Sequence, residues 1–366
     1  MSLRPIVVPV GGFLGAGKTT LILAAARRLS ARGVKPAVIL NDQGSDLVDT
    51  RLAEAGGVSA GQVTGACFCC RFSALIGALE ALRTYSPEVI FAEAVGSCTD
   101  ISATVLQPLK LDYAGQFRLA PYTVVVDPRR PAEWTAPNAD LRFLYEAQIA
   151  EADLICINEF WQAKAPAPQA SAVGQTLSSV KQVAAPVRYL SALTGAGVAE
   201  WLDEILAGEI QSGGGILDLD YERYARAEAA LAWLNCRVAF RPATPLSPAS
   251  VLGPLLDGLD AALAAAGLRV AHLKAMDNSP AGWLKASITR SGEEPMVEGM
   301  LDASPAAVHD LLLNARVAGE PAELRRIVEE QLARLPGSVV TRTFECFSPS
   351  PPRPERRLSY VVKGPD

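Results

Sequence analysis

The chain has 366 residues, of which 49% are hydrophobic and 20% charged, and its formal net charge is −5 at pH 7. That length exceeds what a single hydrophobic core usually organises, so two domains are expected. The composition is that of a globular protein, and the acidic balance lacks the basic footprint of a nucleic-acid binder, which leaves small molecules or proteins as partners.

The amino-terminal apolar run ends in GAGKTT instead of a small-residue cleavage site, which argues against a signal peptide. No uninterrupted apolar run approaches the ~20 residues of a membrane span. The expected location is therefore cytoplasmic, with no membrane partner. Seven cysteines in a reducing compartment argue against a disulfide framework, and Cys67, Cys69 and Cys70 crowd together.

From the start to about residue 210, short β-branched runs alternate with helical patterns, the mark of an α/β fold with a parallel sheet covered on both faces. Strands are predicted at Ile6–Val10, Ala37–Asn41, Val89–Glu93, Thr123–Asp127, Leu154–Asn158 and Val187–Ser191. Helices are predicted near 18–31, 73–85, 100–109, 140–151, 170–182 and 197–207. Ligands of such sheets bind beyond the carboxyl ends of the strands. Several of these strands end on a polar residue: Asn41, Glu93, Asp127, Asn158 and Ser191.

The run QSGGG, Gln211 to Gly215, has little to bury and reads as the domain boundary. The expected division is a nucleotide-binding domain over 1–210, a linker over 211–220 and a smaller C-terminal α+β domain over 221–366. In the latter, Tyr221–Leu231 reads as helix and Trp233–Phe240 alternates like a half-buried strand. A helix near 248–266 follows, then strands near 268–276, 283–290 and 295–301, helices near 304–313 and 321–335, and a strand at Val339–Phe347. Helices on one face of an antiparallel sheet fit this spacing. The proline-rich tail SPSPPRPERR reads as exposed.

The stretch Pro9 to Thr20, PVGGFLGAGKTT, satisfies G-x-x-x-x-G-K-[ST] at Gly12, Gly17, Lys18 and Thr19, between a predicted strand and a predicted helix. Glycines let successive N–H groups curl inward as an anion nest, and the following helix starts with a positive dipole end. Lys18 is placed to reach the β- and γ-phosphates, and the Thr19 hydroxyl to ligate Mg²⁺. Downstream, Glu93-Ala94-Val95-Gly96 closes a buried run. An acidic residue at such a strand tip holds Mg²⁺ directly or through water, and the glycine lets the backbone approach the γ-phosphate.

Cys67-Phe68-Cys69-Cys70 precedes a helical pattern. Cysteines beside a helix N-terminus have depressed thiol pKa values, and thiolates bind borderline cations such as Zn²⁺. Three sulfurs leave one tetrahedral position open, which suits a site that hands metal on. Small core cysteines are the plain alternative for this trio. Cys98, Cys156, Cys236 and Cys346 read as isolated core residues, and His272, in a predicted strand, and His309, in a predicted helix, as structural ones.

The order GGFLGAGKTT, NDQG with Asp49, C-F-C-C after a glycine, E-x-x-G, a strand ending in Asn, and SALTGAGV resembles the CobW-like branch of the P-loop GTPases, the group of HypB and UreG, over about residues 5–207. The resemblance implies a P-loop NTPase fold and GTP hydrolysis coupled to binding and delivery of zinc or cobalt to a client metalloprotein or corrinoid-dependent protein. It implies that Gly12, Gly15, Ala16, Gly17, Lys18, Thr19 and Thr20 hold phosphates and Mg²⁺, with Lys18 and Glu93 catalytic and Gly96 beside the nucleotide. Cys67, Cys69 and Cys70 are the implied metal ligands, and Asp42 and Asp49 the implied switch residues. Asp42 stands where the family usually has Glu in N-E-x-G. Where the family has N-K-x-D, this chain has Asn158-Glu159-Phe160-Trp161, so the aspartate that reads guanine is replaced by tryptophan. Asn158 and the backbone of Ser191, Ala192 and Leu193 are left to contact a base, with Phe160 or Trp161 stacking on it, and both GTP and ATP stand as substrates. The alternatives are a nucleotide-dependent activator or assembly factor without metal delivery, and a non-hydrolysing binding module.

Overall fold

The computed structural model describes residues 4–42, 48, 59–130, 139–158 and 185–363. The predicted helix at 170–182, and Asp49, Glu159, Phe160 and Trp161, lie outside the described residues. Among the described residues, no helix is long and apolar enough to cross a membrane.

The chain forms two compact units. The first takes the described residues up to Ala227, without Val48, together with Pro351–Lys363; the second holds Val48 and Glu228–Ser350. The first unit is a parallel sheet of β1 (Ile6–Gly11), β2 (Pro36–Asp42), β3 (Ser59–Thr64), β4 (Val89–Glu93), β5 (Arg118–Leu119), β6 (Thr123–Val126), β7 (Leu154–Asn158) and β8 (Val187–Leu190). Their order is β3-β2-β4-β1-β6-β7-β8, with β5 paired to β1. Val8, Ile39, Ile90, Phe91, Val124 and Ile155 are buried, as continuous apolar runs must be when helices cover both faces. The helices are α1 (Lys18–Ala31), α2 (Phe72–Leu82), α3 (Gln107–Asp112, after a π-helical turn over Ser102–Leu106), α4 (Ala139–Ala150), α5 (Val198–Ala207) and α6 (Tyr221–Ala229). Strands β2–β4 lie on one side of β1 and β6–β8 on the other, so a ligand crevice opens at the carboxyl end of β1. The sequence pattern does not reveal β3 or β5, whose residues lack a sustained apolar run and whose pairing to β2 and β1 creates them.

The second unit is a six-stranded antiparallel sheet, β12-β11-β10-β13-β9-β14, with α7 (Pro248–Ala265) and α8 (Pro321–Ala333) against one face. Its strands are β9 (Leu231–Pro242), β10 (Arg269–Ser279), β11 (Gly282–Ile288), β12 (Met296–Gly299), β13 (His309–Ala318) and β14 (Gly337–Phe347). Leu234, Cys236, Val238 and Phe240 of β9 alternate into a core shared with Val251, Leu255 and Leu259 of α7. The helix expected at 304–313 is instead the start of β13, and His309 lies in that strand. Leu311, Leu313, Ala315 and Val317 face the helices, while Leu312 packs with Met276 and Val48 on the other face. Both edges of β13 are paired, to β10 and to β9, and this central position overrides the helix-favouring local composition. Buried His309 Nδ1 lies 2.7 Å from Asp277 Oδ2, a structural pairing.

Two further segments are held by residues distant in the chain. Gly213 and Gly214 of QSGGG donate their amides to the Asp153 carboxylate at 2.7 and 2.9 Å, so this segment is fastened to the first unit, and the division falls after Ala227. The proline-rich tail is likewise held. Arg357 pairs with Asp100 at 2.7 Å and Arg356 with Asp112, and the Leu358 amide donates to Ala103 O at 3.0 Å. Prolines bar the tail from a helix and much of it is exposed, as expected, but Arg357 reaches buried Asp100 and the Leu358 amide reaches buried Ala103.

Candidate functional site

The crevice at the tip of β1 is lined by a glycine loop. Gly12, Gly15 and Gly17 have φ of 128°, 77° and 91°, in the region only glycine adopts freely. A Cβ at Gly12 would lie 2.2 Å from Val125 O, so glycine is required on space as well as on conformation. The Ala16 amide donates to Phe13 O at 3.1 Å, tightening the turn, and Gly17 then caps α1 without a side-chain partner. Lys18 folds back over the loop, donating from Nζ to Gly12 O at 2.8 Å and to Phe13 O at 3.2 Å. Thr19 Oγ1 donates to Glu93 Oε1 at 3.0 Å, which joins the two residues expected to hold Mg²⁺. Thr20 is half-buried in the first turn of α1. A Cβ on Gly96 would lie 2.8 Å from Leu14 N, so the E-x-x-G loop rests directly on the phosphate loop. A concave run of amides, a lysine and a hydroxyl–carboxylate pair fit a Mg²⁺–triphosphate in charge and in donor type.

Asn158, at the tip of β7, donates from Nδ2 to Ala16 O and accepts from the Ala192 amide, each at 2.9 Å. It therefore ties the phosphate loop to the Ser191–Leu193 turn. Ser191 Oγ accepts from the Thr194 amide at 3.3 Å, and Leu193 is 48% exposed. Asp42 is the last residue of β2, opposite Thr64 of β3.

The sulfur atoms of Cys67, Cys69 and Cys70 lie within 4.8 Å of one another. Cys67 and Cys69 are buried 2.7 Å apart, and half-buried Cys70 is 3.7 Å from Cys69. Asn41, at the tip of β2, shapes this loop: its Oδ1 accepts from the Phe68 amide at 2.8 Å, and its Nδ2 donates to Val63 O and Ala66 O. The carboxyl-terminal tail supports the loop from outside. The Arg353 amide donates to Cys70 Sγ at 3.1 Å, and the Glu355 amide to Cys69 O at 3.1 Å. Arg71, the N-cap of α2, supplies no side-chain cap; the Glu355 carboxylate does, accepting from the amide and hydroxyl of Ser73.

Two readings of the cysteines change. Cys98 is not an isolated core residue: its Sγ lies 3.5 Å from that of Cys69. Nor are the thiols acidified by α2. Contacts with Cys67, Cys70 and Cys98, together with burial, push the Cys69 thiol well up, and the contact with Cys67, with burial adding, raises Cys70 to about 11. Crowded, buried sulfurs resist acquiring negative charge. Sequence reasoning also missed Gln148 of α4, whose buried Nε2 donates to Gly96 O and Cys98 O, both at 2.9 Å. No local pattern marks it.

A glycine nest at the switch point of a parallel sheet, with Lys18, Thr19 and Glu93 converging there, defines a P-loop nucleotide-binding domain. The profile of the CobW/HypB/UreG nucleotide-binding domain matches residues 6–187, and over these residues the chain belongs to that family. Among solved structures, nickel-bound HypB from Helicobacter pylori is 19% identical, covering 58% of this chain and 92% of its own, with a TM-score of 0.42. Zn(II)-bound YjiA GTPase from E. coli is 15% identical, covering 91% and 99%, with a TM-score of 0.37. HypB from Archaeoglobus fulgidus is 19% identical, covering 56% and 89%, with a TM-score of 0.37. No curated protein matches the chain.

Proposed function

We propose that this protein hydrolyses GTP and uses the cycle to bind a transition metal, zinc or cobalt, and deliver it to a client metalloprotein or corrinoid-dependent protein. The supporting observation is that Asn41, two strands from the phosphate loop, holds the backbone of the loop that carries Cys67, Cys69 and Cys70. Lys18 and the amides of Gly15 to Thr20 take the phosphates, and Thr19 and Glu93 hold Mg²⁺, which supplies charge neutralisation at the β- and γ-phosphates. Asn158 and the Ser191–Leu193 turn brace the base side. Hydrolysis rests on positioning and charge stabilisation by these groups, with slow intrinsic turnover. The family's GTPases support GTP as the substrate, and the departure from N-K-x-D makes ATP the competitor to measure.

Asp42 and Asp49 belong to the segment from Asn41 to Cys70 that senses the γ-phosphate, and contacts to that phosphate couple nucleotide state to metal affinity. Equilibrium dialysis with Zn²⁺ and Co²⁺, with GDP or a non-hydrolysable GTP analogue, tests the reading. The expected result is a nucleotide-dependent change of about 5–150-fold in metal affinity, the usual range of allosteric coupling. Equal metal binding by the protein and a C67S/C69S/C70S variant would remove metal delivery and leave a nucleotide-dependent activator.

A further inference from the structure

We propose that Cys98 is a fourth sulfur ligand of the metal site, held or withdrawn according to the nucleotide. The proposal rests on the metal-binding reading of Cys67, Cys69 and Cys70. Tetrahedral coordination at a metal–sulfur distance of ~2.3 Å sets sulfur–sulfur edges of about 3.8 Å. Cys69 already stands at 3.7 Å from Cys70 and 3.5 Å from Cys98. Cys98 is 1% exposed, and its neighbour Cys69 is 2.7 Å from buried Cys67, a separation that opens by about 1 Å when both bind one ion, while Cys70 is half-buried.

Cys98 comes from a different element than the other three. It sits two residues beyond Gly96, in the loop that leaves β4 at Glu93 and rests on the phosphate loop at Leu14. The Cys98 amide closes a turn on Val95 O at 2.9 Å, and Gln148 Nε2 bridges the carbonyls of Gly96 and Cys98. Residues 95–98 are therefore tied to one another, and to α4 through Gln148. A shift of Gly96 with the γ-phosphate carries Cys98 toward or away from the metal. With Cys98 engaged the site is closed by four thiolates, as in structural zinc sites; with Cys98 withdrawn three remain, and a donor from the client takes the fourth position. Cys98 gives its proton to solvent when it binds the metal and takes one back when the client's donor replaces it; the metal keeps its charge, so the exchange needs no redox partner.

X-ray absorption on the zinc-loaded full-length protein, with GDP and with a non-hydrolysable GTP analogue, tests this. The expected result is four sulfurs at ~2.3 Å in one nucleotide state and three with one lighter donor in the other, and three in both states for C98S. Three sulfurs in both states of the unmodified protein, or a count that C98S leaves unchanged, overturns the proposal while leaving the three-cysteine site standing. Zinc bound equally by the C67S/C69S/C70S variant overturns both. The count on the unmodified protein needs no variant, so misfolding of C98S would not shield the proposal.

Discussion

Asn41 and Phe68 are 27 positions apart and joined by one short bond: Asn41 Oδ1 accepts from the Phe68 amide at 2.8 Å, between the two buried cysteines. Through this bond, and two more from Nδ2, the end of β2 sets the shape of the sulfur site. Asn41→Ala leaves two buried backbone groups, Phe68 N and Val63 O, without this partner, at about 1–3 kcal/mol each, and also frees the part-buried Ala66 O. We expect zinc affinity, measured by competition with a chelator, to fall at least about tenfold, the scale seen when the support of a metal ligand is removed.

Lys18→Ala removes the cation that arches over the phosphate loop. The loss of one preorganised charge at transferring phosphates costs on the order of 10²–10³ in rate. Phosphate release with GTP and with ATP should fall to background in this variant, and full activity would end the phosphate-loop assignment.

Glu151 follows α4 and is buried, accepting from Thr99 Oγ1 at 2.8 Å and from the Ser102 amide at 3.4 Å. Burial, only partly offset by these bonds, pushes its carboxyl from 4.5 up to about 8. The folded state thus holds a proton that the unfolded chain releases. This contribution to stability is complete below the unfolded value and is lost as pH rises through about 8, at no more than about 1.4 kcal/mol per pH unit. Glu151→Gln should lack this slope. Thermal melts from about pH 5 to pH 9 should show the variant gaining on the parent protein as pH rises.

Glu355 caps a helix it does not belong to. Glu355→Ala removes both the cap and a negative charge at the start of α2, at about 0.5–2 kcal/mol. The melting temperature should drop by a few degrees, as about 1 kcal/mol does in a domain of this size. Zinc affinity should fall with it, because the same tail segment contacts Cys69 and Cys70.

The sequence by itself determined the features that live in short windows. The phosphate loop, the E-x-x-G tip and the C-x-C-C run can be read there because backbone freedom, helix dipoles and thiol chemistry act over a few residues. The alternation of strands and helices in the first unit was legible for the same reason, since buried parallel strands are apolar throughout. Tertiary structure decided the rest. Cys98 looked like any core cysteine until β4 and the loop before α2 brought its sulfur to Cys69. Gln148 became a clamp, and the proline-rich tail a brace, only through acceptors far away in the chain. The segment 309–318 became a strand because its two neighbours offered a complete set of hydrogen bonds. In each case the energy that chose the role came from contacts between distant residues, and no local pattern records those.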